Sequence, residues 1–357
     1  MSAPPSATRS TDAPPTAADV PSLQSPLLEV ENLFVHFQTA AGVVRAVDGV
    51  DLALARGETL AIVGESGSGK STLARAIMGI ELAHRGSIRF EGRTVLASGP
   101  ERRALYRHLQ LIFQDPEASL NPRLTIGNAV AEPIQIHRRL TRPERRQAVE
   151  ELLGHVGIDP ALIDRYPHEL SGGQRQRVSI ARALAVEPKG LILDEAVSAL
   201  DVSIRAQILN LLVDLQRRFG LAYLFITHDL GVVRYLSHRV AVMYLGQIVE
   251  QAQTEALFAN PIHPYTRALL DSVPKLDPGA PRKSAALRGD VPSPLTPPPG
   301  CRFHTRCPQA WDRCSAEIPR LLALGPRRAR CFLAEAMTTE ATTATSMTAK
   351  AMTERDG

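Results

Sequence analysis

The sequence predicts an α/β fold with a mainly parallel core sheet, a small antiparallel β layer beside it and a helical subdomain. Short apolar runs such as 58–63 and 222–228 alternate with helix-like segments such as 203–219, a pattern typical of a parallel sheet covered by helices. A glycine-rich turn at 64–69 also lies between an apolar run and a helical run that starts at Thr72. Strand, loop and helix in this order indicate a phosphate-binding loop.

The bulk composition restricts the class of protein. The chain has 357 residues and is 44% apolar, with a net charge of only +4, so it gives no strong nucleic-acid footprint. No apolar run approaches the roughly 18 residues of a membrane span. The first five residues lack the charged and apolar regions of a secretion signal. We therefore expect a cytoplasmic protein whose membrane role comes through partners.

The first part of the chain predicts a tail and then the antiparallel layer. Residues 1–25 are rich in Pro, Ala, Ser and Thr, so we expect them to be disordered. The runs 28–37 and 43–52 alternate in part between apolar and polar residues, and 86–92 lies between glycines. These three runs are expected to form strands of the antiparallel layer.

The central part predicts the helical subdomain and the rest of the core sheet. The run 109–114 reads as a strand that ends at a glutamine, and about 115–185 reads mainly as helices, with a turn signal at Pro133. The apolar run 190–194 is followed by a second acidic residue, and 240–250 reads as a hairpin around a glycine. The main domain is therefore expected over 26–258.

The phosphate-binding loop reads G-x-x-x-x-G-K-S over 64–71. Its glycines let backbone N–H groups turn towards an anion, and the following helix N-terminus adds partial positive charge. Lys70 is then expected to reach the β- and γ-phosphates of a nucleotide, and the Ser71 hydroxyl to bind Mg²⁺. A glycine and serine loop that binds nothing is the alternative.

A second motif, Leu-Ser-Gly-Gly-Gln at 170–174, precedes the paired acids Asp194 and Glu195. With these motifs in this order, the sequence resembles the ATP-binding subunits of ABC transporters from about residue 27 to 250. By this resemblance the loop at 64–71 is the Walker A loop, 170–174 is the family signature, and the two acids are the Walker B pair. In the same way Gln114 is the Q-loop glutamine, Asp201 belongs to the D-loop, and His228 is the switch histidine.

The resemblance assigns chemistry to these residues. Glu195, His228 and Gln114 are the expected catalytic residues, with Glu195 as general base for the attacking water. Mg²⁺ is expected on Ser71, Gln114 and Asp194. The residues expected to bind ATP are Phe37 (adenine), Gly64, Glu65, Ser66, Gly67, Ser68, Gly69, Lys70, Ser71, Thr72, Gln114, Asp194, Asp201 and, towards the ATP of another subunit, Ser171, Gly172, Gly173 and Gln174.

Each of these residue types can also have a purely structural role. A glutamine or histidine at a strand end is often structural, and paired acids after an apolar strand can simply start a loop. Phe34 and Tyr106 are core alternatives to the adenine-stacking Phe37. After Glu195 many family members read Pro-Thr, whereas this chain has Ala-Val; because the acids remain, we expect ATP hydrolysis to survive.

Further strings resemble the ATPase subunits of oligopeptide and dipeptide importers, most closely the second of the two ATPases in such systems. They lie at 113–123, 243–250 and 260–270. Nickel importers share many of these sequence motifs, so the alternative is that the same ATPase serves an importer for nickel or another solute. The implied partners are two transmembrane permeases, a second ATPase subunit in a heterodimer and an extracytoplasmic solute-binding protein, with the chain at the cytoplasmic face of the membrane. A soluble ABC ATPase acting on nucleic acid or ribosomes is a further alternative.

The C-terminal part predicts a proline-rich domain over 259–335 and a disordered tail over 336–357. All four cysteines lie in it, at Cys301, Cys307, Cys314 and Cys331. In a cytoplasmic chain such clustering favours metal or redox chemistry over disulfides. In some of the resembled importers this region is associated with a [4Fe–4S] cluster. Zinc, and free or disulfide-bonded thiols, are the alternatives.

Overall fold

The computed structural model describes residues 26–115, 119–272 and 289–336. The segment 1–25 and, apart from Ala336, the segment 336–357 were predicted to be disordered and lie outside the described residues. The described strands, numbered along the chain, are β1 (Leu28–Thr39), β2 (Gly42–Leu54), β3 (Thr59–Val63), β4 (Arg85–Phe90), β5 (Arg93–Thr94), β6 (Leu109–Ile112), β7 (Gly190–Asp194), β8 (Ala222–Ile226), β9 (Arg239–Tyr244), β10 (Gln247–Gln253), β11 (Leu322–Leu324) and β12 (Arg327–Ala329).

These strands form two sheets in the part of the chain that the structure describes. The smaller sheet has the order β2-β1-β4-β5 and is antiparallel throughout, so the predicted antiparallel layer is confirmed. The larger sheet has the order β11-β12-β10-β9-β3-β8-β7-β6. Its strands β6, β7, β8, β3 and β9 run parallel, and β10, β12 and β11 add to its edge in antiparallel fashion.

The described α-helices pack around these sheets. They are α1 (Lys70–Ile77), α2 (Pro100–His108), α3 (Ile126–His137), α4 (Arg142–His155), α5 (Gly172–Leu184), α6 (Val202–Phe219), α7 (Leu230–Leu236), α8 (Thr254–Ala259), α9 (Pro264–Asp271) and α10 (Asp312–Ala316). Helices α3, α4 and α5 contact one another and form the predicted helical subdomain.

The alternation of side chains along β3 explains the layering. Leu60 and Ile62 lie in a buried cluster shared with β1, β2 and α1, whereas Ala61 and Val63 lie in a cluster shared with Phe303 of the C-terminal region. Successive strand residues point to opposite faces. At β3 the core sheet is therefore covered by the antiparallel layer and α1 on one side and by α7, α8 and C-terminal residues on the other.

The parallel strands bring their carboxyl ends to one edge of the core sheet. Strand β3 leads into the glycine-rich loop, β7 ends at Asp194, and Gln114 and His228 follow β6 and β8 by two residues. Ligands of open parallel sheets bind at this edge. The topology therefore collects the predicted motifs in one place.

Two details differ from the sequence-based expectations. The strand predicted to end at Gln114 ends at Ile112, which leaves the glutamine in the loop. Pro133, predicted to mark a turn, lies inside α3. This helix continues because Ile126, Val130 and Ile134 pack into the core of the helical subdomain, which outweighs the hydrogen bond lost at proline.

Within the described residues, no helix is both long and apolar enough to cross a membrane.

Candidate active site

The glycine-rich loop is shaped by close backbone contacts. Gly64 and Gly69 have φ of +157° and +102°. A Cβ on Gly64 would lie 2.1 Å from the carbonyl oxygen of Met243, and one on Gly69 would lie 2.0 Å from that of Ala46. Any side chain at these positions would clash with backbone, so only glycine fits the loop between β3 and α1.

Lys70 lies folded against the loop that precedes it. Its Nζ donates to the carbonyl oxygens of Gly64 and Glu65, both at 2.9 Å, and to Ser68 Oγ at 3.4 Å. Burial lowers the pKa of Lys70, opposed by Glu195, Asp194 and Glu65. A buried cation in a glycine-rich loop at a helix N-terminus is suited to a phosphate.

Ser71 and Asp194, two of the three residues predicted to bind Mg²⁺, contact each other. The Ser71 hydroxyl donates to Asp194 Oδ1 at 2.8 Å, and burial raises the pKa of Asp194. Mg²⁺ typically uses one or two protein oxygens together with phosphates and water, and a hydroxyl and a carboxylate are suited to that role. Gln114, the third predicted ligand, instead donates to the neighbouring Glu195.

Glu195 is the point where the predicted catalytic residues meet. Its Oε2 lies 3.4 Å from Gln114 Nε2 and 3.5 Å from His228 Nδ1. The backbone at Glu195 has φ of +48° and is held by a bond from its N–H to the oxygen of Ile226 at 3.0 Å. Gln114 and His228, which follow two parallel strands, thus flank the carboxylate of Glu195, which follows a third strand next to Asp194.

The signature segment is the N-terminus of α5. Ser171 Oγ accepts from the N–H of Gln174 at 3.3 Å, and Gln174 Oε1 accepts from the N–H of Ser171 at 2.9 Å, which is a capping box. Ser171 and Gly172 are exposed. Within the described residues, no hydrogen bond joins this segment to the loop at 64–71.

The remaining predicted residues have visible structural partners. Asp201 is the N-cap of α6, where Oδ1 accepts from the N–H of Ile204 at 2.9 Å, and that bond lowers the pKa of Asp201. Phe37 is half-buried and packs against the core cluster beneath the antiparallel layer; its role in adenine stacking stays a prediction. Ser66 and Gly67 are exposed at the loop tip, and Thr72 is half-buried in α1.

Two residues that the sequence did not assign to the site contact Glu65. The N–H of Glu65 donates to Tyr265 Oη at 2.9 Å. Its carboxylate pairs with Arg306 at 2.7 and 3.1 Å. Separations of 200 and 241 residues gave no local signal for these contacts.

The four cysteines, Cys301, Cys307, Cys314 and Cys331, line one small cavity and are free thiols. Burial, together with a smaller effect of neighbouring cysteines, raises the pKa of Cys301 and of Cys331 to about 11. Backbone N–H groups of Phe303 and Leu333 oppose the shift by hydrogen bonding to these two sulfurs. Among the described residues, no three His, Cys, Asp or Glu lie close enough to hold one metal ion.

An arginine is adjacent in the sequence to each of the four cysteines, where it could offset thiolate charge. Three pair instead with carboxylates: Arg302 with Asp48, Arg306 with Glu65, and Arg313 with Glu317 and Glu335. Arg330 donates to backbone carbonyls and interacts electrostatically with Cys301. Carboxylates are better partners for a guanidinium than neutral thiols are, which accounts for these three pairings.

Comparisons with known proteins agree with this geometry. A family model described as ABC transporter matches residues 47–198, and one described as oligopeptide/dipeptide transporter, C-terminal region, matches 249–314. A di/tripeptide transport ATP-binding protein of Pseudomonas aeruginosa is 48% identical over 316 residues, which cover 87% of this chain and 98% of the relative.

Solved structures show the same fold. One is cbiO1 of Clostridium perfringens, part of the ABC transporter complex cbiONQ, with a TM-score of 0.59, 33% identity and coverage of 66% of this chain and 92% of that one. Another is an ATP-binding cassette solved as a dimer in a post-hydrolysis state with ADP and phosphate. It has a TM-score of 0.58, 28% identity and coverage of 64% of this chain and 98% of that one.

Proposed function

The chain belongs to the ABC transporter family of ATP-binding proteins, and we propose that it is the ATP-hydrolysing motor subunit of an importer for oligopeptides or dipeptides. One observation carries the enzymatic part. Gln114 and His228 converge on Glu195, while the adjacent Asp194 bonds Ser71 behind the phosphate-binding loop. Positioning and charge stabilisation of this kind are the main requirements of phosphoryl transfer.

The reaction is ATP plus water to ADP plus phosphate. Lys70 and the loop N–H groups bind the β- and γ-phosphates, and Ser71 and Asp194 hold Mg²⁺, which when bound neutralises developing phosphate charge. Glu195 orients the attacking water and accepts its proton. Gln114 and His228 keep the Glu195 carboxylate in place, and we expect His228 also to donate a hydrogen bond to the γ-phosphate.

The exposed N-terminus of the signature helix supports a second lobe that faces it. Ser171 to Gln174 of one subunit would contact the γ-phosphate of ATP held by the facing subunit, because Ser171 and Gly172 are exposed at a helix N-terminus and such ends favour anions. ATP then favours the closed pair, since it contacts both lobes only in that state. A second, different ATPase subunit is the partner we propose.

The solute class rests on the C-terminal match at 249–314 and on the name of the bacterial relative. Both refer to peptide transport and neither to nickel. The proposed assembly contains two transmembrane permeases, the ATPase pair and an extracytoplasmic solute-binding protein, with no nucleic-acid partner. The chain would act at the cytoplasmic face of the membrane as a peripheral subunit.

We divide the chain into the ABC domain at 26–258, with its helical subdomain at about 115–185, and a cysteine-bearing C-terminal domain at 259–335. We propose that the four cysteines bind a [4Fe–4S] cluster. The four thiols line one cavity, and a set of four cysteines is a common ligand set for such a cluster. The same set suits tetrahedral zinc, which is the alternative.

Affinity capture of the tagged chain from detergent-solubilised membranes tests the transporter assignment. We expect two permeases and a second ATPase to co-purify, and ATP-dependent uptake of a labelled dipeptide in vesicles that contain the complex and the binding protein. Recovery only in the soluble fraction with bound RNA or DNA would favour the nucleic-acid alternative. Uptake of nickel but not dipeptide would change the solute.

Anaerobic purification with iron, sulfide and zinc analysis tests the cluster. We expect iron and acid-labile sulfide in equal amounts, and their loss when Cys314→Ser and Cys331→Ser are combined. Stoichiometric zinc without iron would overturn the cluster.

A further inference from the structure

Glu65 is the second residue of the phosphate-binding loop and is held on three sides. Its N–H donates to Tyr265 Oη and its carbonyl oxygen accepts from Lys70 Nζ, both at 2.9 Å. Its carboxylate accepts two bonds from Arg306, at 2.7 and 3.1 Å. One loop residue therefore links the phosphate-binding lysine to two side chains of the C-terminal region.

Arg306 is built into its position. It ends the short 3₁₀ turn His304–Arg306, next to Cys307. Its side chain is only 5% exposed. The guanidinium lies 5.9 Å from the centroid of the Tyr244 ring and donates to its hydroxyl at 3.4 Å. Removing the Glu65 carboxylate would leave this buried charge without its main counterion, which is strongly unfavourable.

A second set of contacts, from Arg302 and Gly246, stabilises the loop near Ser68. Arg302, next to Cys301, is buried and donates to Asp48 and to the carbonyl oxygen of Leu245. The N–H of the adjacent Gly246 donates to the carbonyl oxygen of Ser68 at 2.9 Å. The cysteine-bearing segment thus contacts the phosphate-binding loop directly at Glu65 and through one turn at Ser68.

We propose that Arg306 and Tyr265 are positioning residues for the phosphate-binding loop. Through their contacts with Glu65, the C-terminal region, including the cysteine-bearing segment at 301–331, sets the affinity of the chain for nucleotide. This inference rests on the proposed ATPase function. Neither residue is expected to touch the nucleotide. They fix the backbone of Glu65, and with it the carbonyl that orients Lys70 and the N–H groups that follow in the loop.

The physical reason is preorganisation. A glycine-rich loop has many accessible backbone conformations, and phosphate binding must select the one in which the N–H groups converge. The bidentate Glu65 pair and the Tyr265 bond favour that conformation before nucleotide arrives. Without them, part of the binding free energy is used to order the loop.

Equilibrium titration of the full-length chain with a fluorescent ATP analogue and Mg²⁺ is the test. For Arg306→Ala we expect a Kd about tenfold or more weaker, since hydrogen bonds between charged groups are individually strong. The ATPase KM should rise by a similar factor, while kcat at saturating ATP changes by less than about threefold. A general folding defect would not produce this split between KM and kcat.

Two further variants separate positioning from folding. Tyr265→Phe removes only the hydroxyl that accepts from Glu65 and keeps the ring packed on Tyr244 and Phe303, so it should weaken nucleotide binding in a folded protein. Arg306→Lys keeps the charge but loses the two-pronged geometry and should be intermediate. Arg320→Ala removes an exposed arginine of the same segment and should bind nucleotide as the wild type does.

A double-mutant cycle supplies the remaining control. If Arg306 acts through Glu65, the variant that combines Glu65→Gln with Arg306→Gln should be no weaker than the worse single variant. Additive losses would contradict that route. Wild-type Kd values for folded Arg306→Lys and Tyr265→Phe would overturn the inference, whereas a wild-type chain that binds no nucleotide would overturn the proposed function instead.

Discussion

At the scale of single residues, Glu195 combines an unusual backbone with a central side-chain position. Its φ of +48° is in the left-handed region, which a non-glycine residue adopts at a cost. Ser198 donates to its carbonyl oxygen through the N–H at 3.0 Å and the hydroxyl at 2.8 Å. These bonds hold the turn that presents the carboxylate to Gln114 and His228.

Glu195→Gln should lower the ATPase kcat by about a hundredfold or more, because a glutamine cannot accept the proton of the attacking water. The shape of the site is kept, so Mg²⁺-ATP binding should persist and a closed ATPase pair should accumulate on size exclusion. Steady-state phosphate release and gel filtration with ATP measure these effects.

The control is Glu187→Gln, which changes an exposed glutamate that also has a left-handed backbone and pairs with Arg138. It should hydrolyse ATP at the wild-type rate. Near-normal turnover of Glu195→Gln would show that another group takes the proton.

At the scale of elements, the two glycines that begin α5 have different surroundings. A Cβ on Gly173 would lie 2.5 Å from Ile204 Cγ2 of α6, whereas the nearest neighbour of a Cβ on Gly172 is Leu200 at 3.8 Å. Gly173 is therefore required for the close approach of α5 and α6. Gly172 is free of that constraint, and its exposure is consistent with a role towards another subunit.

Gly173→Ala should destabilise the fold by about 1–3 kcal/mol through overpacking against Ile204. Gly172→Ala should leave stability unchanged or slightly higher, since alanine is the better helix former, but should lower the ATPase rate of the assembled pair. Urea unfolding and ATPase assays on the two matched variants check this. Equal stabilities would contradict the packing argument.

The N-cap residue of helix α9 is the buried His263, and it makes the stability of the fold depend on pH. His263 Nδ1 accepts from the N–H of Tyr265 at 3.0 Å, and complete burial lowers the pKa of His263 to about 3. Between that value and the unfolded value near 6.5, the unfolded chain binds more protons than the folded one. The stabilising effect of the neutral ring is therefore complete above about pH 6.5 and is lost as the pH falls.

His263→Asn should keep the cap, because asparagine is a favoured N-cap residue, and remove this titration. We expect the melting temperature of the wild type to fall more steeply than that of the variant between pH 7 and pH 5. Melting curves in buffers of constant ionic strength measure the difference. Parallel pH profiles would show that His263 titrates normally in the folded protein.

At the scale of the whole molecule, the C-terminal region is part of the core. Phe303 is 1% exposed and packs against Tyr244 at 5.3 Å and Tyr265 at 5.3 Å between ring centroids. Strands β11 and β12 extend the sheet that carries the active site. The cysteine-bearing segment and the nucleotide-binding loop therefore share one packed interior.

Phe303→Ala should lower the free energy of unfolding by about 3–5 kcal/mol, the usual cost of truncating a buried phenylalanine. Ile318→Ala, at a position of the same region that is 66% exposed, should cost less than about 0.5 kcal/mol. Chemical denaturation of the full-length proteins tests this. A small effect of Phe303→Ala would mean that the C-terminal region packs loosely on the ABC domain.

The sequence predicted the site through local patterns. The run from β3 through the glycine loop to Lys70 and Ser71 can be read in fewer than twenty consecutive residues, because strand, turn and helix signals act over short distances. The positions of Asp194, Glu195, Gln114 and His228 followed from parallel topology, which brings strand ends to one edge. Two predictions were wrong: that β6 ends at Gln114 and that Pro133 marks a turn. In both places tertiary packing overrides the local propensity.

Motif order and spacing alone identified the nucleotide-binding loop, the signature and the acidic pair, because each depends on neighbours in the chain. Tertiary structure alone decided that Tyr265 and Arg306 contact Glu65 and that the four cysteines share one cavity. These contacts join residues far apart in sequence. Their partners are selected by burial and charge pairing in the folded interior, and no local pattern records them.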